Sequence, residues 1–269
     1  MPLFDLVEGE TPLILSFPHS GTDVPSDIAQ HLGPVGRGLC DTDWHVPRLY
    51  DFAREMGVTW LAANISRTVI DLNRDPSSVS LYPGQATTDL CPLETFDGEP
   101  LWQAGKAPDA DEVERRKEKY FMPYHQGLAE QIARIKARHG FAVLYDCHSI
   151  RGTVPRLFEG ALPSLNLGTD QGKSCGRLLE QDLSAVLARS SYTHVLNGRF
   201  RGGWITRHYG RPKDRVHAVQ MEIAQREYME ERPPWLWHEE RATALQSTLK
   251  DVLEAILQWA RKEGASGGF

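Results

Sequence analysis

Short apolar runs alternate with helical stretches along this chain, and that alternation limits the fold more than any other feature. Leu13-Ile14-Leu15-Ser16-Phe17 is a strand-sized run closed by Pro18. Phe141-Ala142-Val143-Leu144-Tyr145 is a second, set off by Gly140, and residues 58–63, 68–72 and 216–223 are further strand candidates. Residues 164–170 read as a short strand or a loop. Between these runs, residues 111–139 carry a helical pattern opened by acidic residues, interrupted at Pro123 and stopped by Gly140. After Asp41, Pro47 suits the first turn of a helix, and Leu49, Phe52, Ala53 and Met56 recur at helical spacing until Gly57. Residues 172–188 and 234–262 read as two more helices. Strands alternating with helices predict an α/β fold with a largely parallel central sheet. Ligands of such sheets bind beyond the carboxyl ends of the strands.

A chain of 269 residues can bury one substantial core. No repeat divides it, so a single domain is expected over 1–263, followed by a frayed Gly/Ser tail at 264–269. The stretch 81–108 is rich in Pro, Gly, Thr and Asp and reads as a long loop, the kind that often serves as a lid. The net charge of -6 argues against nucleic acid as a partner. No apolar run approaches the roughly 18 residues of a membrane span. The start Met1-Pro2-Leu3-Phe4-Asp5 lacks the basic and apolar regions of an export signal, so a cytoplasmic protein is expected. Cys40, Cys91, Cys147 and Cys175 lie far apart, as reduced thiols do. Nothing in the composition sets an oligomeric state.

Three polar groups stand at the ends of the apolar runs: Pro18-His19-Ser20-Gly21, Asp146-Cys147-His148-Ser149 and Gln220-Met221-Glu222. Two neutral imidazoles with one carboxylate suit a catalytic zinc ion, which keeps a position for water. A nearby unligated carboxylate can then accept that water's proton. Any one histidine is more often a hydrogen-bonded structural residue, and spacing alone does not exclude His45, His125, His208 or His217. Asp41-Thr42-Asp43 offers two carboxylates at a helix start, where N-capping is the plainer role. Arg67, Asp71 and Asn73 share one strand parity in Arg67-Thr68-Val69-Ile70-Asp71-Leu72-Asn73-Arg74. They present a carboxylate clamp or, more plainly, a surface salt bridge. Six Lys/Arg residues and one Asp lie between Arg199 and Arg215, a local basic cluster on an acidic chain that points to small anions. Cys147 beside His148 is no thiol–base pair in a strand, because neighbouring residues project to opposite faces.

These segments, with Asp41-Thr42-Asp43-Trp44-His45-Val46, Leu81-Tyr82-Pro83-Gly84-Gln85, Leu157-Phe158-Glu159-Gly160, Gly202-Gly203-Trp204-Ile205-Thr206-Arg207-His208 and His217-Ala218-Val219-Gln220-Met221-Glu222, resemble the N-formylglutamate deformylase (N-formylglutamate amidohydrolase) family of histidine breakdown. The resemblance runs from about Leu13 to the last helix. It implies a single α/β domain with a mixed, mostly parallel central sheet flanked by helices, similar to the zinc carboxypeptidase and aspartoacylase group (phosphorylase/hydrolase-like). It implies one Zn2+ ion, or another first-row divalent ion, held by His19, Asp43 and His148. The wider group has its acidic ligand three residues after the first histidine; here that place is Thr22, so Asp43 takes the role, with Asp41 as the alternative. The resemblance further implies Glu222 as general base and Arg67, Asn73 and Arg74 as substrate clamp. Arg201 and Arg207 of the Gly-rich loop complete the expected binding set for a small anionic N-acyl amino acid. Hydrolysis of another N-acyl acidic amino acid, or amino-acid binding without catalysis, are the alternative functions.

Overall fold

The structure, a computed structural model, describes residues 2–77 and 88–266. Its centre is a sheet of β1 (Phe4–Val7), β2 (Leu13–Phe17), β3 (Thr59–Ala63), β4 (Ala142–Ile150), β5 (Leu165–Gly168), β6 (His194–Leu196) and β7 (Val216–Ala224). The strand order is β1-β3-β2-β4-β7-β5-β6. Only β1 on β3 and β5 on β7 run antiparallel. The helices are α1 (Ser26–Ala29), α2 (Pro34–Arg37), α3 (Val46–Leu49), α4 (Ala110–Arg116), α5 (Met122–His139), α6 (Arg177–Arg189), α7 (Trp204–Tyr209) and α8 (Glu239–Ser266). This is the expected α/β class with a mixed, mostly parallel sheet.

The period of two along the central strands assigns each side chain to one of two cores. Leu13, Leu15, Val143, Tyr145, Cys147, Val219 and Met221 pack with Leu179 and Leu183 of α6 and Leu249 and Leu253 of α8. Ile14, Ala142, Leu144 and Ala218 face the other way, onto Leu128 and Ile135 of α5. Both faces are covered, and β4 and β7 are buried along their whole length, as interior parallel strands are. Asp146 and His148 continue the second parity of β4, and Gln220 and Glu222 that of β7. The register pairs Ser16 with Asp146, Asp146 with Gln220, and His148 with Glu222. Three neighbouring strands thus deliver polar side chains to one end of the sheet.

Several local expectations change. Residues 67–74 form successive turns instead of a strand. The Asp71 carboxylate accepts from Asn73 N at 2.9 Å, a local bond that competes with a strand ladder. The stretch after Asp41 divides into α3 and a 3-10 turn, Asp51–Met56, which ends at Gly57 in the left-handed region (φ 67°). The long helix is broken by a π-helical stretch, Lys117–Phe121, just before Pro123, whose missing N–H and ring favour a bulge there. The last helix begins at Glu239, beyond Pro233 and Pro234, and runs through Gly264 to Ser266. The motif 81–85 and the first part of the expected loop, residues 81–87, lie outside the described residues, as do 267–269.

Candidate active site

His19 follows β2, His148 lies near the end of β4, and Asp43 sits in the connection between β2 and α3. Asp43 N donates to His19 O at 3.0 Å, which fixes the two segments against each other. One ligand atom from each of these three residues lies within 4.8 Å of the others, and all three are buried. His148 Nδ1 is 2.9 Å and His19 Nδ1 3.8 Å from Asp43 Oδ2. The opposite ring nitrogens are engaged elsewhere: His19 Nε2 with Asp71 Oδ1 at 2.7 Å, and His148 Nε2 with Asp146 Oδ2 at 2.9 Å. With each Nε2–H donating to its carboxylate, both Nδ1 lone pairs face Asp43. Two neutral imidazoles, one carboxylate and an outer carboxylate behind each ring form a donor set that fits a zinc ion.

The two rings differ in local charge: His19 is held neutral, whereas the carboxylates around His148 favour a positive charge there, a proton or, in its place, a metal ion. Burial opposes charge on His148, but the carboxylates of Asp146 and Asp43 outweigh it and hold the ring's pKa well above its ordinary value. Burial and the Arg67 charge lower the His19 pKa, against the pull of Asp71 and Asp43. Burial would raise the Asp71 pKa, yet His19, Arg67 and Arg74 hold it well below the usual carboxylate range.

Glu222 faces this group from β7. Its Oε2 accepts from Gln220 Nε2 at 3.1 Å, and Gln220 Oε1 accepts from Gly203 N at 2.6 Å. Burial pushes the Glu222 carboxyl up to about 8, against the effect of the neighbouring His148. A carboxyl group held near neutrality can accept a proton and return it.

Arg67 is buried, not a surface salt-bridge partner. Its Nη2 is 2.7 Å from Asp71 Oδ2, its Nη1 3.6 Å from Asp43 Oδ1, and its guanidinium lies 4.8 Å from the centre of the Phe96 ring. Arg74 donates to Thr88 Oγ1 at 2.9 Å and stands 3.5 Å from Asp71. Asn73 Nδ2 donates to Asp146 Oδ2 at 3.0 Å, and its Oδ1 accepts from Ile205 N at 2.7 Å. A Cβ on Gly203 would stand 2.4 Å from Asn73 Nδ2, so only glycine allows the loop before α7 to approach so closely.

His19, Arg67, Asn73, Arg74, His148 and Glu222 line one pocket. Arg201 and Arg207 are not among its lining residues. Arg201 is exposed, with its Nε 3.4 Å from Gly198 O. Arg207 Nε donates to Gly202 O at 2.8 Å and lies 3.6 Å from Asp170. Arg199 of the same loop lines the pocket, as do Phe96, Leu157, Phe200 and Gln220; the sequence offers Arg199, Leu157 and Gln220 within motifs but gives none of the five a site role. The signal for Phe96 is faint: one aromatic residue in a polar loop. Asp146 was more accessible, being two residues before His148 and so on the same strand face.

Asp41 stands outside the His19, Asp43 and His148 group that could hold a metal, its Oδ2 accepting from Phe96 N at 2.8 Å. The competing histidines have structural partners. His45 Nε2 meets Trp235 O at 2.7 Å, His125 Nε2 meets Leu72 O at 2.9 Å, and His217 Nδ1 accepts from Gly176 N at 2.9 Å. His208 stacks on Trp204. Cys147 packs in the opposite core, where burial raises its thiol pKa well above the usual value.

A family model described as N-formylglutamate amidohydrolase matches residues 11–229. The chain is 49% identical over 258 residues to N-formylglutamate deformylase of Pseudomonas aeruginosa, covering 96% of this chain and 97% of that one. It is 47% identical over 253 residues to N-formylglutamate deformylase of Pseudomonas putida, covering 94% of each. Among solved structures, N-formylglutamate amidohydrolase of Ralstonia eutropha is similar with a TM-score of 0.82 and 28% identity, over 98% of this chain and 100% of that one. The chain belongs to the N-formylglutamate amidohydrolase family.

Proposed function

We propose that this chain hydrolyses N-formyl-L-glutamate to L-glutamate and formate with one zinc ion held by His19, Asp43 and His148. The observation that carries the reading is the convergence of those three residues beside Glu222 in a pocket lined by arginines. The two Pseudomonas relatives are named for the same reaction. When bound, the ion supplies positive charge at the scissile amide and favours the deprotonated form of water at neutral pH.

The chain's own residues do the rest. Asp71 and Asp146 hold the two imidazoles in the orientation that presents Nδ1. Glu222 accepts the proton of the attacking water and delivers it to the nitrogen as the C–N bond breaks. Formate and the free amino group of glutamate are the products. Arg67 and Arg74 bind a substrate carboxylate, and Asn73 holds Asp146 and α7 in place behind them. The reaction would close a route of histidine degradation in the cytoplasm. No helix among the described residues is long and apolar enough to cross a membrane.

Formate release from N-formyl-L-glutamate tests the reading when measured before chelation, after it, and after zinc is restored. Release is expected to vanish on chelation and return with zinc. Folded, zinc-replete protein that releases no formate would overturn the assigned reaction.

A further inference from the structure

We propose that Arg199 binds the side-chain carboxylate of the substrate and so sets a preference for acidic over neutral N-formyl amino acids. The inference rests on the deformylase reading of the pocket. Three guanidinium groups line that pocket, those of Arg67, Arg74 and Arg199. The first two form one unit. Both come from the turns after β3, and both bear on Asp71, at 2.7 and 3.5 Å. Arg67 also faces Asp43 at 3.6 Å, which ties this unit to the metal-ligating group. A carboxylate bound there lies close to the scissile amide.

Arg199 reaches the pocket from the opposite edge of the sheet. It follows β6, the edge strand, whereas β3 lies beyond β5, β7, β4 and β2 in the strand order. The base of its loop is pinned. Asn197 takes a left-handed conformation (φ 52°), its N donates to Leu167 O at 2.7 Å, and its Oδ1 accepts from Thr169 N at 2.9 Å. Arg199 Nε donates to Leu157 O at 2.7 Å, and its guanidinium lies 5.4 Å from the centre of the Phe200 ring. Leu157, Phe200 and Ile150 make this wall of the pocket apolar. A half-buried guanidinium beside apolar side chains interacts with a carboxylate more strongly than one in open water. A substrate with one carboxylate needs only the Asp71-anchored pair. Cationic groups on opposite sides suit a dianion.

Steady-state formate release by zinc-loaded enzyme tests this with two probes, the dianion N-formyl-L-glutamate and its isostere with a neutral side chain, N-formyl-L-glutamine. The substitution R199M is expected to lower kcat/KM for the glutamate compound about 10- to 100-fold and for the glutamine compound less than about threefold. R199K, which keeps the charge without the planar fork, should recover part of the loss. Equal losses on both probes, or no loss on the glutamate compound, would overturn the assignment while leaving deformylation standing. Absence of formate release by the unsubstituted enzyme would overturn the deformylase reading and this inference with it. Thermal unfolding of R199M and R199K separates a folding defect from a change in specificity.

Discussion

Glu222 and His148 are register partners on adjacent strands, so the distance between the Glu222 carboxyl and the His19, Asp43 and His148 group is set by sheet hydrogen bonding and not by a loop. Burial holds the Glu222 carboxyl near neutrality, and Gln220 fixes one of its oxygens. Removing a general base so placed costs about 10² to 10⁴ in rate. On the proposed mechanism, Glu222→Gln is therefore expected to lose that much in kcat while keeping one zinc per chain, since it lies outside the proposed ligand set. Near-normal turnover in the variant would remove Glu222 from the mechanism. His19, His148 and Glu222 are legible in the sequence because each ends an apolar run, where an α/β sheet exposes its ligand site. Of their supporting groups, Asp146 is legible from its parity with His148, but the pairing of Asp71 with His19 is not. Asp71 is 52 residues from His19, and only the folded turn after β3 brings it within 2.7 Å. Arg199 shows the same limit within one loop. It shares a Gly- and Arg-rich segment with Arg201 and Arg207, and spacing does not say which arginine faces inward.

The elements that place the site differ in how much local pattern they carry. β2, β4 and β7 are buried on both faces and read as continuous apolar runs, so their existence is visible in the sequence. β1 and β6 are edge strands of four and three residues with mostly exposed side chains, too short to show a period. Residues 68–72 mislead for the opposite reason: an apolar run can lie buried in turns when its polar neighbours bond locally. A structural role for Asp41 follows from the segment it holds. Phe96, which lines the pocket above Arg67, is tied to Asp41 through its backbone N–H, and Arg151 ties the same segment through Asp97 at 2.7 Å. Asp41→Ala is thus expected to retain zinc and raise KM about 3- to 30-fold, part of the cost of the charge-assisted hydrogen bond that holds Phe96, since Asp41 acts on the pocket only through that residue. Asp43→Ala is expected to lose the metal. Metal content and KM measured on the two variants check this, and loss of zinc from Asp41→Ala would restore Asp41 as a ligand.

Across the whole molecule, the alternation of strands and helices predicts the layered α/β architecture, while the strand order depends on long-range pairing that no local pattern encodes. The same packing has a consequence for stability in acid. His125 on α5 lies between Phe121, Trp204 and Tyr209, with Nε2 bonded to Leu72 O. Burial, helped by the charge of His208, pushes its pKa down to about 3 against the bond to Leu72. Burial also lowers His217, to about 4. In the unfolded chain such rings titrate near 6.5. Above that pH both states are neutral and neither ring affects stability. Below it the unfolded chain takes up protons that the folded chain refuses, so stability falls as pH drops toward the folded values. For His125 the slope approaches about 1.4 kcal/mol per pH unit, or about 2 to 3 kcal/mol between pH 6.5 and 4.5. Urea unfolding of the chelated protein and of His125→Gln over pH 7.5 to 4.5 checks this. Both proteins share the metal-ligating group, so their difference isolates His125. The variant is expected to be less stable at pH 7.5, having lost packing and a buried hydrogen bond, and to lose less stability on acidification. Parallel curves would mean that His125 takes up its proton without unfolding the helix that carries it.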